Sequence, residues 1–568
     1  QVMRPPPRPR HLVAVLVFAG VAAIGGLLAF GETRLDDRQV AMATGAVRAV
    51  HEDYYPHDVV YGSDALWKLD NPIWRWYLRE TFRATGRGEA AWVFAVAVGP
   101  LVFVFGLGMY ALVWRQCRSW SLAVYAALMA MVVIHLADDV HWGLGPRWTV
   151  TPATVALAAV PWAVLGLLTF GGDAAVLWVF LGVGLLGNIH LVTATNLALV
   201  FAIVVVGRGR ASPRSWMLAA AGLLCAAGAA SPVFRYQTVQ AAAFSGAGPW
   251  SHWRVALAAE SDPIGQNLGA MVSRALEFPS MGYLLALWLP AVAVTVRCER
   301  YRVRDLGAWL WMLLGVFIVG GVLHGLIAWS GASGDLSAAA LGFPQALRLS
   351  LLPLFVLAAQ AVSHLTRSWG AGRVVRTGLT VLMILWLLPA DNVAVARHAV
   401  QDCFVGGRDD EKPPAVQHRI ERRARDRELR AICRWLRRNT PTSAVIACED
   451  PHARLWAARS LVACQADRHY VQVRTPDRLE AWAARLQDQR EALSPRTGGA
   501  VEPAALDRFG LQYGAAYIVV DAASVSAASM SGGWVKDPSG RWGAYLRLYR
   551  VGTVETAPPV AAGAPAQP

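Results

Sequence analysis

Charge is scarce in this chain. Only 16% of its 568 residues are Asp, Glu, Lys or Arg and 55% are hydrophobic, against about 25% charged in soluble proteins. That balance excludes disorder, a fibrous repeat and an ordinary soluble enzyme. Nucleotide-binding signatures are missing too: there is no GxxxxGK[ST] and no GxGxxG set between a strand and a helix. Nor is there a GxSxG elbow. With only short cytoplasmic loops between the apolar runs, an ATP-driven pump is disfavoured. The 7 cysteines include no CxxC and no Cys/His spacing that would bind zinc. The apolar pattern shows no internal repeat, which counts against an inverted-repeat transporter.

What the chain does have is apolar runs near twenty residues long, the length a helix needs to cross a hydrocarbon core. Eleven are predicted as spans: Leu12–Phe30, Ala91–Trp114, Leu122–Leu136, Thr151–Phe170, Ala174–Leu186, Leu191–Val206, Trp216–Ala230, Met281–Val296, Ala308–Trp329, Leu347–Val362 and Val374–Leu388. The first reads as an uncleaved span rather than a signal peptide, because its apolar run is too long for an h-region. Ala174–Leu186 and Leu191–Val206 are short, as in a tight pair or a re-entrant hairpin. The net charge is +14, which in a soluble protein would suggest nucleic acid. Here the basic residues sit in tracts between apolar runs, at Arg4–Arg10, Arg115–Arg118, Arg208–Arg214, Arg297–Arg304 and Arg367–Arg376. With the N-terminus cytoplasmic, eleven spans put all five tracts inside, as the positive-inside rule requires. The bilayer, not nucleic acid, is the expected partner. The expected location is a bacterial cytoplasmic membrane.

The expected fold is therefore a mainly α polytopic helix bundle, residues 1–390, with a C-terminal extracytoplasmic α/β domain at 391–552 and a Pro/Ala-rich disordered tail at 553–568. Outer loop 31–90 carries a Trp- and Arg-rich stretch, Leu66–Thr85, that suits a helix lying in the membrane interface. In the outer domain, helices at Glu421–Arg438, Ala453–Arg459, Pro476–Glu491 and Pro503–Phe509 alternate with strands at Ala444–Cys448, Leu461–Cys464 and Tyr517–Asp521. Trp534–Val535 and Tyr545–Val551 close as a hairpin. The pattern implies a small, largely parallel sheet. Cys448 and Cys464 end successive strands and are a candidate disulfide, the alternative being two small buried thiols.

Polar residues gather where spans emerge outside. Asp36 and Asp37 follow the first span, and Asp138 and Asp139 follow the third, with His135 and His141 beside them. Asn188 and His190 lie between the two short spans. His252, Arg254, Glu260 and Asp262 occupy a later outer loop. His324 lies within a span, and Arg348 stands at the outer end of another. Ionisable groups at membrane depth are costly and mark candidate sites. A carboxylate among Asp36, Asp37, Asp138 and Asp139 suits a general base toward an acceptor hydroxyl. Asp37 with Asp139 would instead suit a hard divalent cation such as Mg2+ or Mn2+. Arg254 or Arg348 suits a phosphate, and His141, Asn188 and His190 are candidate substrate contacts.

A first span, an acidic pair, a long outer loop with an interfacial helix, many spans and a C-terminal outer domain together resemble the GT-C class of integral-membrane glycosyltransferases. That resemblance implies a polyprenyl-phosphate-linked sugar as donor. It also implies a catalytic Asp in the first outer loop, here Asp36 or Asp37, with a second acidic position at Asp138 or Asp139. Most of the chain is also similar to uncharacterised bacterial multi-pass proteins, through Gly187-Asn188-Ile189-His190 with Thr193, Thr195 and Asn196, through Arg454-Leu455-Trp456, and through Tyr513 to Asp521. Two other readings remain: a non-enzymatic envelope scaffold or sensor, and a lipid or solute transporter.

Overall fold

The structure, a computed structural model, describes residues 8–31, 34–62, 67, 70–85, 90–131, 133–135, 141–145, 149–169, 172–245, 280–296, 305–329, 342–368, 377–378, 381, 414–468, 471, 478–493, 501–525 and 533–552. Along the chain run α1 (Arg8–Gly31), α2 (Asp37–Val50), α3 (Pro72–Thr85), α4 (Ala90–Cys117) and α5 (Trp120–Ala130). The short strands β1 (Ile134–His135) and β2 (His141–Trp142) follow, then α6 (Pro152–Thr169), α7 (Asp173–Gly187), α8 (Leu191–Arg208), α9 (Pro213–Ser245) and α10 (Ser280–Val296). Next is α11 (Leu306–Phe317), which passes through a π-helical stretch, Ile318–Leu323, into a last helical piece at His324–Trp329. A 3-10 turn, Phe343–Ser350, leads into α12 (Leu351–Ser368). The remainder comprises α13 (Pro414–Asn439), β3 (Val445–Ala447), α14 (His452–Ala457), β4 (Ser460–Leu461), α15 (Leu479–Leu493), α16 (Pro503–Tyr513), β5 (Ala515–Asp521), β6 (Trp534–Val535) and β7 (Leu546–Arg550).

These elements form two compact units. One comprises Gln1–Arg34 with Lys68–Phe404; the other comprises Leu35–Trp67 with Val405–Pro568. The first-loop segment, expected in the helix bundle, thus belongs with the C-terminal part of the chain.

The first unit is mainly helical, and α1, α4, α6 and α7 are apolar around their whole circumference, the pattern of buried or membrane helices. Among the described residues, seven helices are long and apolar enough to cross a membrane: Arg10–Phe30, Ala91–Cys117, Pro152–Thr169, Leu191–Arg208, Pro213–Tyr236, Leu306–Leu326 and Gln345–His364. They fit a membrane-embedded protein in contact with lipid. Leu191–Arg208, expected to be short, is of full length. Two expected spans are shorter apolar helices, Trp120–Ala130 and Asp173–Gly187. The first stops because the chain turns at Met131 and enters β1, which pairs antiparallel with β2. Met281–Val296 is the helix α10, and Val374–Leu388 lies almost wholly outside the described residues.

Small residues bring the helices together. A side chain at Gly184 would stand 2.3 Å from the Ala226 carbonyl oxygen, so α7 and α9 approach only because Gly184 has none. Gly26 and Gly99 likewise face each other where α1 meets α4. Where association is driven by van der Waals contact rather than hydrophobicity, such close approach supplies it. Trp162 of α6 donates its indole N–H to the Val104 carbonyl at 2.9 Å, and Gly108 leaves room for that ring.

The expected interfacial stretch Leu66–Thr85 is helical over Pro72–Thr85, with Trp74, Leu78 and Phe82 buried and Ile73 and Trp76 exposed. Asn71, buried just before it, does two things. Its Oδ1 accepts from the backbone N–H groups of Ile73 and Trp74 at 3.0 and 3.2 Å, capping the helix. Its Nδ2 donates to the carbonyls of Asn188 and Ile189 at 2.8 and 3.0 Å, in the break between α7 and α8.

The second unit is built on a five-stranded sheet in the order β4-β3-β5-β7-β6. Its β4-β3 and β3-β5 pairs are parallel, whereas β5-β7 and β7-β6 are antiparallel. The sheet is mixed rather than largely parallel, because the chain returns from β5 to lay β7 directly beside it. Leu429, Ile432, Cys433 and Leu436 of α13 pack on one face with Ile446 and Leu548. Leu493, Leu506 and Phe509 pack on the other with Ile518 and Val520. Gly514 at φ +66° ends α16 as a left-handed C-terminal cap.

Asn71→Ala removes a cap and leaves two carbonyls without their donor, and is expected to cost about 2 kcal/mol. The thermal midpoint of the detergent-solubilised protein should fall accordingly. Asn71→Asp keeps the cap but sets a carboxylate against two carbonyl oxygens, and should lower the midpoint further.

Candidate functional site

In the second unit, the segment that follows the first apolar helix begins with the acidic pair. Asp36 is the N-cap of α2. Its Oδ1 accepts from Gln39 N at 2.7 Å, and Gln39 Oε1 accepts from Asp36 N at 3.3 Å, completing a capping box. Asp37, the first helical residue, is exposed. Asp36 is thus committed to the helix end, and Asp37 is an exposed carboxylate in the first turn, at the positive end of the helix dipole.

Immediately before them, His452 holds Leu35 by its backbone. Its Nε2 lies 3.2 Å from Leu35 N and 3.1 Å from Leu35 O, and its Nδ1 lies 2.8 Å from Asp450 Oδ1. His452 is buried, as is Leu35. Behind them lies the most heavily bonded group of the unit. Arg454 donates through Nε to Asp58 Oδ2 at 2.8 Å, and through Nη1 and Nη2 to the two oxygens of Asp467 at 3.0 and 2.8 Å. All three side chains are 3% exposed or less. Asp58 also accepts from the N–H groups of Val60, Tyr61 and Leu461, and the Tyr61 ring lies 4.6 Å from the Arg454 guanidinium. Burial works against the Arg454 charge, but the two carboxylates prevail and hold its pKa well above the ordinary value. Next to this group, the buried Tyr55 hydroxyl is pushed up by desolvation.

Two further charges hold the local fold. Glu428 of α13, itself buried, accepts from four consecutive N–H groups, Gly543 to Leu546, at 2.9–3.2 Å. Arg459 donates to the carbonyls of Ala457, Ala458, Arg437 and Thr440, binding the end of α13 to the left-handed turn at Ala458.

Cys448 and Cys464 are free thiols, not a disulfide. The register Ile446↔Leu461, carried two residues on, sets Cys448 level with Ala463, so Cys464 falls one rung beyond. Cys464 Sγ instead lies 3.2 Å from the Glu449 carbonyl. Both thiols pack in the core beside Cys433. Burial pushes Cys448 up to about 12, and carries Cys433 and Cys464 well above the ordinary value of 9.0.

In the first unit, Asn188 and His190 are occupied by the break between α7 and α8. Asn188 Nδ2 donates to the Ala229 carbonyl at 2.8 Å. His190 is the N-cap of α8, its Nδ1 lying 3.2 Å from Thr193 N and 2.8 Å from Thr193 Oγ1. Asn196 of α8 donates to the Gly342 carbonyl at 3.1 Å. Arg348 is half-buried on the 3-10 turn, and His324 is half-buried where the π-helical stretch ends. His141 lies in β2, paired with His135 through the backbone register. Asp138, Asp139, His252, Arg254, Glu260 and Asp262 lie outside the described residues. Among the described residues, no three His, Cys, Asp or Glu side chains are grouped to hold a metal ion.

Asp58, Asp467, Arg459, Glu428 and Asn71 were not singled out by the sequence reading, and Arg454 appeared there only within a resemblance. The available signal is a charge set among largely uncharged residues, as in Ala453-Arg454-Leu455-Trp456 and Ala463-Cys464-Gln465-Ala466-Asp467.

Two predictions follow from this geometry. Arg454→Met leaves two carboxylates buried without their cation and should destabilise the unit by about 3–5 kcal/mol. Limited proteolysis should then cut within residues 51–62 faster than in the parent protein. The raised thiols remain protonated in the native state while the unfolded chain ionises them near 9. Their contribution is therefore full below pH 9 and is lost as pH rises toward 12, by up to about 1.4 kcal/mol per pH unit per thiol. Iodoacetamide labelling read by mass spectrometry should find Cys433, Cys448 and Cys464 unreactive at pH 8 until the protein is unfolded.

No protein-family model matches the chain, and no curated protein matches it.

Proposed function

We propose that the protein is an integral-membrane glycosyltransferase with GT-C-like architecture, taking a sugar from a polyprenyl-phosphate donor to an acceptor hydroxyl on the outer face of a cytoplasmic membrane. The seven membrane-length helices support a membrane-embedded chain, and eleven spans with a cytoplasmic N-terminus remain the topology that best fits the basic tracts. The observation that carries the reading is the division of the acidic pair: Asp36 caps α2, while Asp37 is exposed directly after the first apolar helix. Asp37 is the carboxylate in position to serve as a general base.

In this reading Asp37 takes the proton from the acceptor hydroxyl. The acceptor oxygen forms a bond to the anomeric carbon of the sugar, and the bond from that carbon to the phosphate oxygen breaks. The polyprenyl phosphate leaves with the electron pair. No step is assigned to a metal ion.

The test is transfer of radiolabelled sugar from polyprenyl-phosphate donors by the full chain in proteoliposomes. Asp37→Asn should lower the rate by about 100-fold or more. Asp36→Asn should retain activity, because Asn caps a helix as well as Asp. An Asp37→Asn variant as active as the parent overturns the reading. If the parent transfers nothing and native mass spectrometry finds no polyprenyl phosphate bound, a non-enzymatic scaffold becomes the better account.

A further inference from the structure

The helix α13 carries nine arginines against three acidic residues. Its core face is Leu429, Ile432, Cys433 and Leu436. At 100° per residue, Arg419, Arg423, Arg427, Arg430, Arg434 and Arg438 fall within a sector of about 100° turned away from that face. None of the acidic residues shares the sector. Glu428 is buried on its four backbone N–H groups, and Glu421 and Asp426 fall outside the stripe. Arg423, Arg427, Arg434 and Arg438 are exposed, and Arg430 lies 4.6 Å over the Trp456 ring. From Arg423 to Arg438 the stripe is about 22 Å long.

We infer that this arginine stripe docks on the headgroups of anionic phospholipid. The inference is independent of the glycosyltransferase reading. A helix that buries one face and aligns guanidinium groups along the other presents repeated bidentate donors at regular spacing, the geometry that phosphate oxygens accept. The occupant follows from charge complementarity and covalent linkage. The same chain carries seven membrane-length helices, so a headgroup surface is at high effective concentration around this helix.

The experiment is arginine footprinting with phenylglyoxal, read by mass spectrometry, on the full chain in nanodiscs. One set of discs is phosphatidylcholine alone and the other includes phosphatidylglycerol. Modification of Arg423, Arg427, Arg434 and Arg438 should slow about fivefold in the anionic discs, corresponding to about 1 kcal/mol per engaged arginine. The protection should be lost in high salt. The exposed Arg422, on the same helix but off the stripe, and Arg508, on α16, should react equally in both discs. Equal reactivity of the stripe in both discs overturns the inference. Equivalent protection by soluble polyphosphate in phosphatidylcholine discs also overturns it, in favour of a soluble polyanion. In the variant Arg423→Glu/Arg427→Glu/Arg434→Glu, the remaining Arg438 should no longer distinguish the two lipids, and an undiminished difference there counts against the stripe.

Discussion

One buried cation organises the second unit. Arg454 is held between Asp58 and Asp467 with all three side chains out of water, and a guanidinium in that position is tolerable only while both carboxylates stay with it. The constraint reaches far along the chain, because Asp58 and Arg454 are 396 residues apart. Asp58 carries it into the backbone at Val60, Tyr61 and Leu461. The segment that leaves the first apolar helix is therefore part of the fold that ends the chain. Its helix α2, with the capping box at Asp36 and the exposed Asp37, is held by the same fold through His452 and Leu35. Whatever Asp37 does, its position depends on residues more than four hundred places away.

The helices of the first unit answer to a different constraint. Of these, α1, α4, α6 and α7 are apolar on every side, so they have little hydrophobic preference for one face over another. Specificity comes from small residues and a few polar side chains. Gly184 admits Ala226, Asn188 ties the same helix pair at Ala229, and Asn71 closes the break from the other side. Asn188, one of the side chains that looked functional in the sequence, is used in this way. A polar residue at a helix break serves the break first, since the backbone groups released there need partners.

The parts legible in the sequence are those governed by local pattern. Apolar length predicted the seven membrane-length helices, and alternating strands and helices located every strand of the five-stranded sheet. Leu429, Ile432, Cys433 and Leu436 appeared as one face and are buried together. What escaped is non-local. Nothing near Asp58 indicates Arg454, and nothing near Glu428 indicates the turn at Gly543. The expectation for Cys448 and Cys464 failed for a related reason, because strand ends alone do not give register, and a shift of one residue separates the rungs. The sheet was expected to be largely parallel because helices alternated with the first strands, whereas β7 returns beside β5 in the opposite sense.

Arginine is used in this chain in ways that a net charge of +14 cannot separate. Arg454 is a buried ion matched by two carboxylates, and Arg459 is a cap that binds carbonyls at the end of α13. The other arginines of that helix are mostly at the surface, and one of them, Arg425, meets Asp521 at 2.9 Å. The positive-inside rule counts basic residues in short segments flanking apolar runs. It leaves nine arginines of one helix unexplained, because α13 is a folded element with its own core face. A long cationic stripe on an ordered helix repels itself unless an anionic surface meets it. Because the chain is joined to membrane-length helices, a lipid headgroup plane is the anionic surface its own architecture supplies.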